Sequence, residues 1–471
     1  MAPRVALLHT TFHLKDKTTH PKHLLPPIDL GIAARILEKE GCETFFFDTA
    51  VHGKTPQTVF SFLSHTKPDI LVIKPNLAVS QETVSLVNAI KQNALFAHMP
   101  VVVVGNAPTY LVTRFLHASS CIDYVVLGEF ENALARVVDC LVTKKKCVRD
   151  IPGLCWFASK LTYARGVRTI LELDDFDSLP SPKHELFINQ GYSFYYPTSL
   201  NARMRVGFVM TSRGCPYSCS FCSEAERASH GKKYRYRSAQ HIADEFECLH
   251  SKGVNFVYIL DDLFTLNSNR VIELCAVLAK RKTRIKWAVQ SRVDTLNEPL
   301  ISAMRSAGCT TVCMGLESGS DRILKNVQKG TSVEKIRKAV FLCNKYHINI
   351  VGYFIIGNES ETLEEIEKTI TLANSLDLDM IQVAHLTEYP AASLFKGDIN
   401  AWSFTNRNEE VQQNFSRVDT KTLEALQSRF YRSFYFSPRF LFRFITRHAL
   451  TFVLNLDKNI PLIRDTLRVF T

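Results

Sequence analysis

Two successive series of short apolar runs, each followed by an amphipathic stretch, limit what this chain can fold into. The first series is RVALLH (4–9), TFFFD (44–48), DILVIK (69–74), VVVVG (101–105) and DYVVLG (123–128). Between them lie stretches of helical period such as DLGIAARILEKEG (29–41) and SQETVSLVNAIKQ (80–92). A run that is apolar at nearly every position cannot leave one face in water. Alternating with helices, such runs predict a parallel sheet covered on both sides.

Five strands at this length suit a flavodoxin-like doubly wound domain over residues 1–145. Ligands of such sheets bind at the carboxyl ends of the strands. Here those ends carry His9 to Lys22, Asp48 to Gly53, Pro75–Asn76, Gly105 to Thr109 and Gly128–Glu129. Residues 146–199 change character: GLCWFASKLTYARGVRTI reads as a β-hairpin, and DDFDSLPSPKHELF as a linker. The second series then runs RVGFVMT (205–211), VNFVYIL (254–260), IKWAVQS (285–291), TTVCMGL (310–316), INIVGYFII (348–356) and MIQVAHL (380–386). Six strand-first units over 200–390 predict a (β/α)6 partial TIM barrel. The expected class is thus α/β, with a helical C-terminal region over 391–471. The barrel strands end in "TSRGC", "LDDLFT", "QSRVD", "GLESGSD", "IIGNESET" and "HLTEYP". Solubility does not ask for an acid or an arginine at the top of so many strands, so this face reads as an active site.

Hydrophobic residues at 46% and charged residues at 22% describe an ordinary folded protein. The net charge of +11 suits an anionic substrate or surface, or simply a solvated basic exterior. No helix-turn-helix, zinc-finger or ribonucleoprotein motif stands out, so no nucleic-acid partner is expected. The opening MAPRVALLHT is too short an apolar run for a signal peptide. No stretch reaches about 18 uninterrupted apolar residues, so no spanning helix is expected and the chain reads as cytoplasmic. The tail, LQSRFYRSFYFSPRFLFRFITRHALTFVLNL, mixes arginines with aromatics. It reads as helices packed on the barrel, or as a surface for peripheral contact with an anionic membrane.

In such a compartment thirteen cysteines are buried thiols or metal ligands rather than disulfides. Cys42, Cys121, Cys140, Cys147, Cys155, Cys248, Cys275 and Cys343 are isolated and read as small packing residues. Cys309 and Cys313 flank a strand and read the same way. "SRGCPYSCSFCS" (212–223) differs, because it sets Cys215, Cys219 and Cys222 within eight positions. A structural zinc wants four ligands, which His230 or His241 could complete. An odd cluster disfavours disulfides. An iron–sulfur cube held by three thiolates is the third option, and it leaves one iron open to chemistry.

CxxxCxxC after the first barrel strand, with Phe221 before its last cysteine, resembles the radical S-adenosylmethionine (SAM) superfamily. The resemblance implies a 4Fe–4S cluster on the three cysteines, with SAM chelating the fourth iron. Reductive cleavage of SAM then yields a 5′-deoxyadenosyl radical that abstracts a substrate hydrogen. "ILDDLFT" (259–265) is similar to the second-strand motif and implies that Asp261 and Asp262 hold the SAM amino group. "GLESGSDRILKNVQKG" (315–330) is similar to the fourth-strand motif. It implies Glu317 and Ser318 at the ribose and Lys329 at the SAM carboxylate. "FIIGNESET" (354–362), with Ile356, stands where apolar backbone supports the adenine, and "WAVQSRVDTL" (287–296) supplies Arg292 and Asp294.

A doubly wound domain ahead of such a barrel resembles the cobalamin-binding class, which includes anaerobic magnesium-protoporphyrin cyclases and hopanoid methylases. "LLPPIDLGIAARILEKEG" (24–41), "VVVVGNAPT" (101–109) and "DYVVLGEFENAL" (123–134) carry that resemblance, and it implies Gly105 at the cobalamin. The chain has no DxHxxG loop, and His13, His20, His23 and His52 lack its spacing. "GNAPTY", "NESET" and "EYPAASLF" replace glycine-richer segments of the class. The implied reaction is cobalamin-dependent methylation of an unactivated carbon on a small molecule, and the apolar tail hints that this substrate is hydrophobic. The implied partner is an electron donor such as flavodoxin or ferredoxin. Ring formation, rearrangement or oxidation without methyl transfer is the alternative, and a non-catalytic iron–sulfur or zinc module the remote one.

Overall fold

The computed structural model describes residues 2–11, 24–53, 55–117, 121–143, 150–159, 162–165, 170, 176–192, 204–222, 230–281, 283–389, 392–397 and 413–453. Its first sheet contains β1 (Arg4–Thr10), β2 (Glu43–Asp48), β3 (Ile70–Pro75), β4 (Val101–Val104), β5 (Tyr124–Val126), β6 (Leu154–Ser159) and β7 (Thr162–Arg165). The strand order is β2-β1-β3-β4-β5-β6-β7, and the first five strands are parallel. Successive residues alternate between two cores. Ala6, Leu8, Ile73 and Val103 enter one, while Val5, Leu7, Val72 and Val102 enter the other. Each of these valine, leucine and isoleucine side chains stabilises by about 1.5–3 kcal/mol when fully buried. That is why the runs are apolar throughout rather than alternating.

The expected hairpin forms, but it does not stand between domains. β6 pairs antiparallel with β5 through Val125–Cys155 and Val126–Leu154, so the hairpin extends the first sheet. An open edge at β5 would present unpaired backbone groups, and the hairpin closes it. Cys140 also departs from expectation: it is disulfide-bonded rather than a packed thiol. The other described cysteines are free, with Cys309 and Cys313 buried in packing positions.

Past the linker come β8 (Val206–Val209), the two-residue strands β9 (Ser212–Arg213) and β10 (Arg235–Tyr236), then β11 (Phe256–Ile259) and β12 (Lys286–Ser291). β13 (Cys309–Glu317), β14 (Asn349–Ile356) and β15 (Met380–His385) follow. The second sheet has the order β15-β14-β13-β12-β11-β8 and is parallel throughout. Helices Ala239–Ser251, Ser268–Arg281, Glu298–Ser306, Val333–Lys345 and Leu363–Ser375 connect its strands. Their starts are written locally. Asn297 caps one helix with Pro299 in its first turn, and Thr362 with Glu365 forms a reciprocal capping box on another.

The barrel does not close, because β8 and β15 are the sheet's two ends. Helix Thr420–Tyr435 covers the β15 edge. The Tyr431 hydroxyl accepts from Val383 N at 2.8 Å and donates to its carbonyl at 3.2 Å. Tyr435 does the same at Ile381, at 3.2 and 3.1 Å. The aromatic tail thus caps an edge strand, and Phe430 packs on Phe354 with ring centroids 5.2 Å apart. The inner face of the barrel is plugged from the other side. Phe208, Phe256, Tyr258, Ala288, Cys313 and Val351 share a core with Ile28 and Ile32 of the first domain's helix Ile28–Lys39.

Glu361, after β14, is fully buried; its Oε2 accepts from Asn358 N and Nδ2, and Oε1 has no partner. Burial pushes its carboxyl up to about 7. A raised carboxyl means that the folded state binds the proton more tightly. Stability is therefore full below about pH 4.5 and falls as pH rises through about 7, by up to about 3 kcal/mol. Glu361→Gln should remove that slope. Thermal melts from pH 5 to pH 8.5 should show wild type losing stability relative to the variant.

Candidate active site

The three-cysteine loop begins where β8 ends. Asp261, at the top of β11, accepts from Thr211 N at 2.6 Å, from Ser212 Oγ at 2.6 Å, and from the Thr211 hydroxyl. Its carboxylate is buried and ties two strand tops together. Asp262 beside it is half-buried. The loop is anchored further on, where Ser220 N donates to Val327 O at 3.0 Å and Leu394 N to Ser220 O at 3.2 Å. Cys219 is buried, and Cys215 and Cys222 are half-buried. Cys222 N closes a turn onto Cys219 O at 3.2 Å.

Among the described residues no three cysteine, histidine or acidic groups converge as ligands of one ion. His230 Nδ1 instead lies 2.8 Å from Glu129, and His241 Nδ1 lies 3.1 Å from Asp177. A mononuclear zinc site completed by either histidine is therefore not formed. Cluster thiolates bind separate irons and need no such convergence. Three thiols outside any disulfide on one short loop, with a guanidinium 3.5 Å from one sulfur, fit that donor chemistry.

Opposite the loop, β13 ends in a constrained backbone. Glu317 has φ 62°, unusual for a residue with a side chain. Its Oε1 accepts from Lys329 Nζ at 2.6 Å, and both groups are buried. The Lys329 ammonium sits 5.6 Å from the Phe221 ring centroid. Gly315 leaves the space for this pair: a Cβ there would stand 2.3 Å from Glu317 Oε1 and 2.6 Å from Lys329 Nζ. The fold thus brings Glu317, Lys329, Phe221 and the cysteine loop together. It does not turn the Ser318 hydroxyl outward. That group is fully buried, 3.2 Å from Thr369 Oγ1, and accepts from Ser320 N. The Ile356 side chain lies in the outer core, and its carbonyl accepts from Leu386 N. Its neighbour Ile355 packs instead against the cluster of Leu386, Ala392 and Leu394, as Phe221 and Tyr389 do, a placement that the period of two along β14 could have signalled.

The carboxyl edge of the first sheet faces this same region. His9 is buried with Nδ1 2.7 Å from Lys74 O, and burial pushes its imidazole below the ordinary range. Lys74 pairs with Asp29 at 2.8 Å. Gly105 has φ 96° and ψ −160°, a region essentially restricted to glycine, so the top of β4 stays open above the Lys74 side chain. This bare edge fits a large ligand laid across the strand ends. Within it His52 Nδ1 accepts from Asp48 N at 2.9 Å; His13, His20 and His23 lie outside the described residues.

A buried ion network joins the two domains. Glu129, just past β5, accepts from Arg235 Nη1 and Nη2, each at 2.8 Å, and lies 3.7 Å from Arg213. Glu131 pairs with Arg213, which is two residues before Cys215. Burial alone would raise the Glu129 carboxyl, but His230, Arg213 and Arg235 outweigh it and hold it far below the usual range. No residue of this network was singled out in the sequence as its member, because ion pairs across a separation of 106 positions leave no local pattern.

Comparison with known proteins supplies the class. The Radical SAM superfamily matches residues 209–373, and the B12 binding domain matches residues 15–138. A protein named an uncharacterized methyltransferase of Pyrococcus horikoshii is 29% identical over 437 residues, covering 90% of each chain. The anaerobic magnesium-protoporphyrin IX monomethyl ester cyclase of Rubrivivax gelatinosus is 26% identical, covering 93% of this chain and 78% of its own. Among solved structures, the radical SAM methyltransferase TsrM of Kitasatospora setae, with cobalamin and a 4Fe–4S cluster bound, aligns with a TM-score of 0.68. It is 18% identical, and the match covers 84% of this chain and 77% of TsrM. The cobalamin-dependent SAM radical enzyme OxsB gives 0.67 at 19% identity, over 81% of this chain and 53% of OxsB. The chain therefore carries a radical SAM domain joined to a B12-binding domain. That pairing makes it an enzyme whose cofactors are a 4Fe–4S cluster, SAM and cobalamin.

Removing one partner of a buried network leaves the others charged and unpaired. Glu129→Ala should cost about 3–5 kcal/mol in urea unfolding. Arg35→Ala, which breaks a half-exposed pair with Glu185, should cost no more than about 1 kcal/mol. Equal midpoint shifts for the two variants would contradict this account of the junction.

Proposed function

We propose that this chain is a cobalamin-dependent radical SAM methyltransferase acting on an unactivated carbon. One observation carries the reading. The carboxyl edge of the B12-binding sheet is bonded, through Glu129 and Glu131, to the arginine that opens the cysteine loop. Ligands of the first domain and of the barrel would thus meet in one chamber.

In this reading Cys215, Cys219 and Cys222 hold the cluster. Glu317, Lys329 and Asp262 face SAM, and Phe221, Ile355 and the backbone around Ile356 flank its adenine. Asp261 and Ser318 keep the strand tops in place through the bonds described above. Gly105 and the neighbouring strand ends receive cobalamin. Together the bound groups supply a carbon-centred radical that takes a substrate hydrogen, and a methyl group to replace it. The chain's own task is to hold them in register and to exclude water.

The chamber wall suits a small substrate of apolar character. At the strand ends Ile355 is half-buried and Ala384 and Gln382 are exposed, apolar groups beside one polar one. The electron donor would be a low-potential protein such as flavodoxin or ferredoxin, approaching the exposed Pro216, Ser218 and Lys232 beside the cysteine loop. Peripheral membrane contact would rest on the exposed Leu441, Phe442 and Ile445 of helix Pro438–Val453. The arginines of that helix are not free for lipid: Arg439 pairs with Asp377 and Arg443 with Asp379. No described helix is long and apolar enough to cross a membrane. The free thiols support a reducing cytoplasm, with Cys140 as the exception.

Anaerobically reconstituted protein, reduced in the presence of SAM, should release 5′-deoxyadenosine. The Cys215→Ala/Cys219→Ala/Cys222→Ala variant should hold no cluster and release none. A product richer by one CH2 than its substrate, a methyl in place of a hydrogen, supports methyl transfer; unchanged carbon count would move the reading to ring formation, rearrangement or oxidation.

A further inference from the structure

Arg292 is buried at the top of β12, one residue past Ser291. Its guanidinium is fixed on every side. Nε and Nη2 donate to the two oxygens of Asp294, each at 2.9 Å. Nη2 also donates to the Lys329 carbonyl. The plane lies on the Tyr217 ring, with Cζ 3.6 Å from the centroid. What remains is Nη1, and it points at Cys219 Sγ from 3.5 Å.

Hydrogen bonds to the sulfurs are among the levers that set the reduction potential of an iron–sulfur cluster. A donor stabilises the extra electron of the reduced state. The Asp294 carboxylate offsets the net charge of Arg292, so the directed N–H matters more here than a point charge would. Tyr217 and Asp294 lock the fork so that the donor cannot swing away.

We propose that Arg292 is a tuning residue of the cluster, donating from Nη1 to the Cys219 thiolate and raising the cluster's reduction potential. The proposal rests on the three cysteines holding a cluster. Its role is to ease the one-electron reduction on which SAM cleavage depends, not to touch the reacting atoms.

The test is an EPR-monitored redox titration of the reconstituted protein without SAM. Arg292→Gln should lower the ratio of reduced to oxidised cluster at fixed potential about tenfold, which is about 59 mV for a one-electron couple. A change of less than about threefold, with iron and sulfide content equal to wild type, overturns the proposal. A second readout needs no variant. Wild-type protein labelled with 15N-arginine should show a weak 15N hyperfine coupling on the reduced cluster, and its absence overturns the proposal even if Arg292→Gln fails to fold. A wild-type chain that takes up no cluster overturns the reading beneath this proposal. A cluster whose potential and spectrum ignore Arg292 overturns this proposal alone.

Discussion

The structure depends on one buried junction, in which Glu129 and Glu131 of the first domain meet Arg213, Arg235 and His230 of the barrel. Taking these charges out of water is costly, and their attraction repays it only with close geometry. Such a network is a poor source of stability and a good source of register. Its partners sit just past β5 on one side and two residues before Cys215 on the other. It therefore fixes the strand ends of one sheet against the cysteine loop of the other. Phe176 fills the space beside both arginines, each guanidinium carbon 5.7 Å from its ring centroid.

From that junction the remaining features follow in order. The barrel can stay open because its inner face is plugged by Ile28 and Ile32 and its β15 edge is capped by Tyr431 and Tyr435. On the edge strand β15, Gln382 and Ala384 stay exposed while Ile381 and Val383 enter the outer core. At the strand ends, the strained Glu317 and the buried Lys329 lie beside Phe221, one residue from Cys222. Strain and buried charge gather here, and the outer core around Trp287 and Phe264 is ordinary hydrophobic packing.

Much of this was legible in the residues. VVVVG and INIVGYFII become strands because a run apolar at nearly every position has no other way to bury itself, and the six barrel strands fall where those runs lie. The cysteine spacing and the acids after the strands are equally local signals, and they marked the candidate site. Four things were not legible. The hairpin after residue 150 joins the first sheet because β5 offers an edge, and edges are not written in sequence. Cys140 looked like any buried thiol. Ser318 was expected at the ribose, and the direction of its hydroxyl, toward Thr369, depends on a turn that motif matching ignores. Arg292 was visible as a motif residue, but its contact with Cys219 crosses 73 positions.

The central claim is that one chain holds a cluster and a cobalamin against the same chamber. It is tested most directly by loading anaerobic protein with iron, sulfide and hydroxocobalamin, desalting it, and measuring metal content with the visible spectrum. The account predicts cobalt stoichiometric with the chain alongside a full cluster. Cluster without retained cobalt would contradict it and leave the first domain with another task.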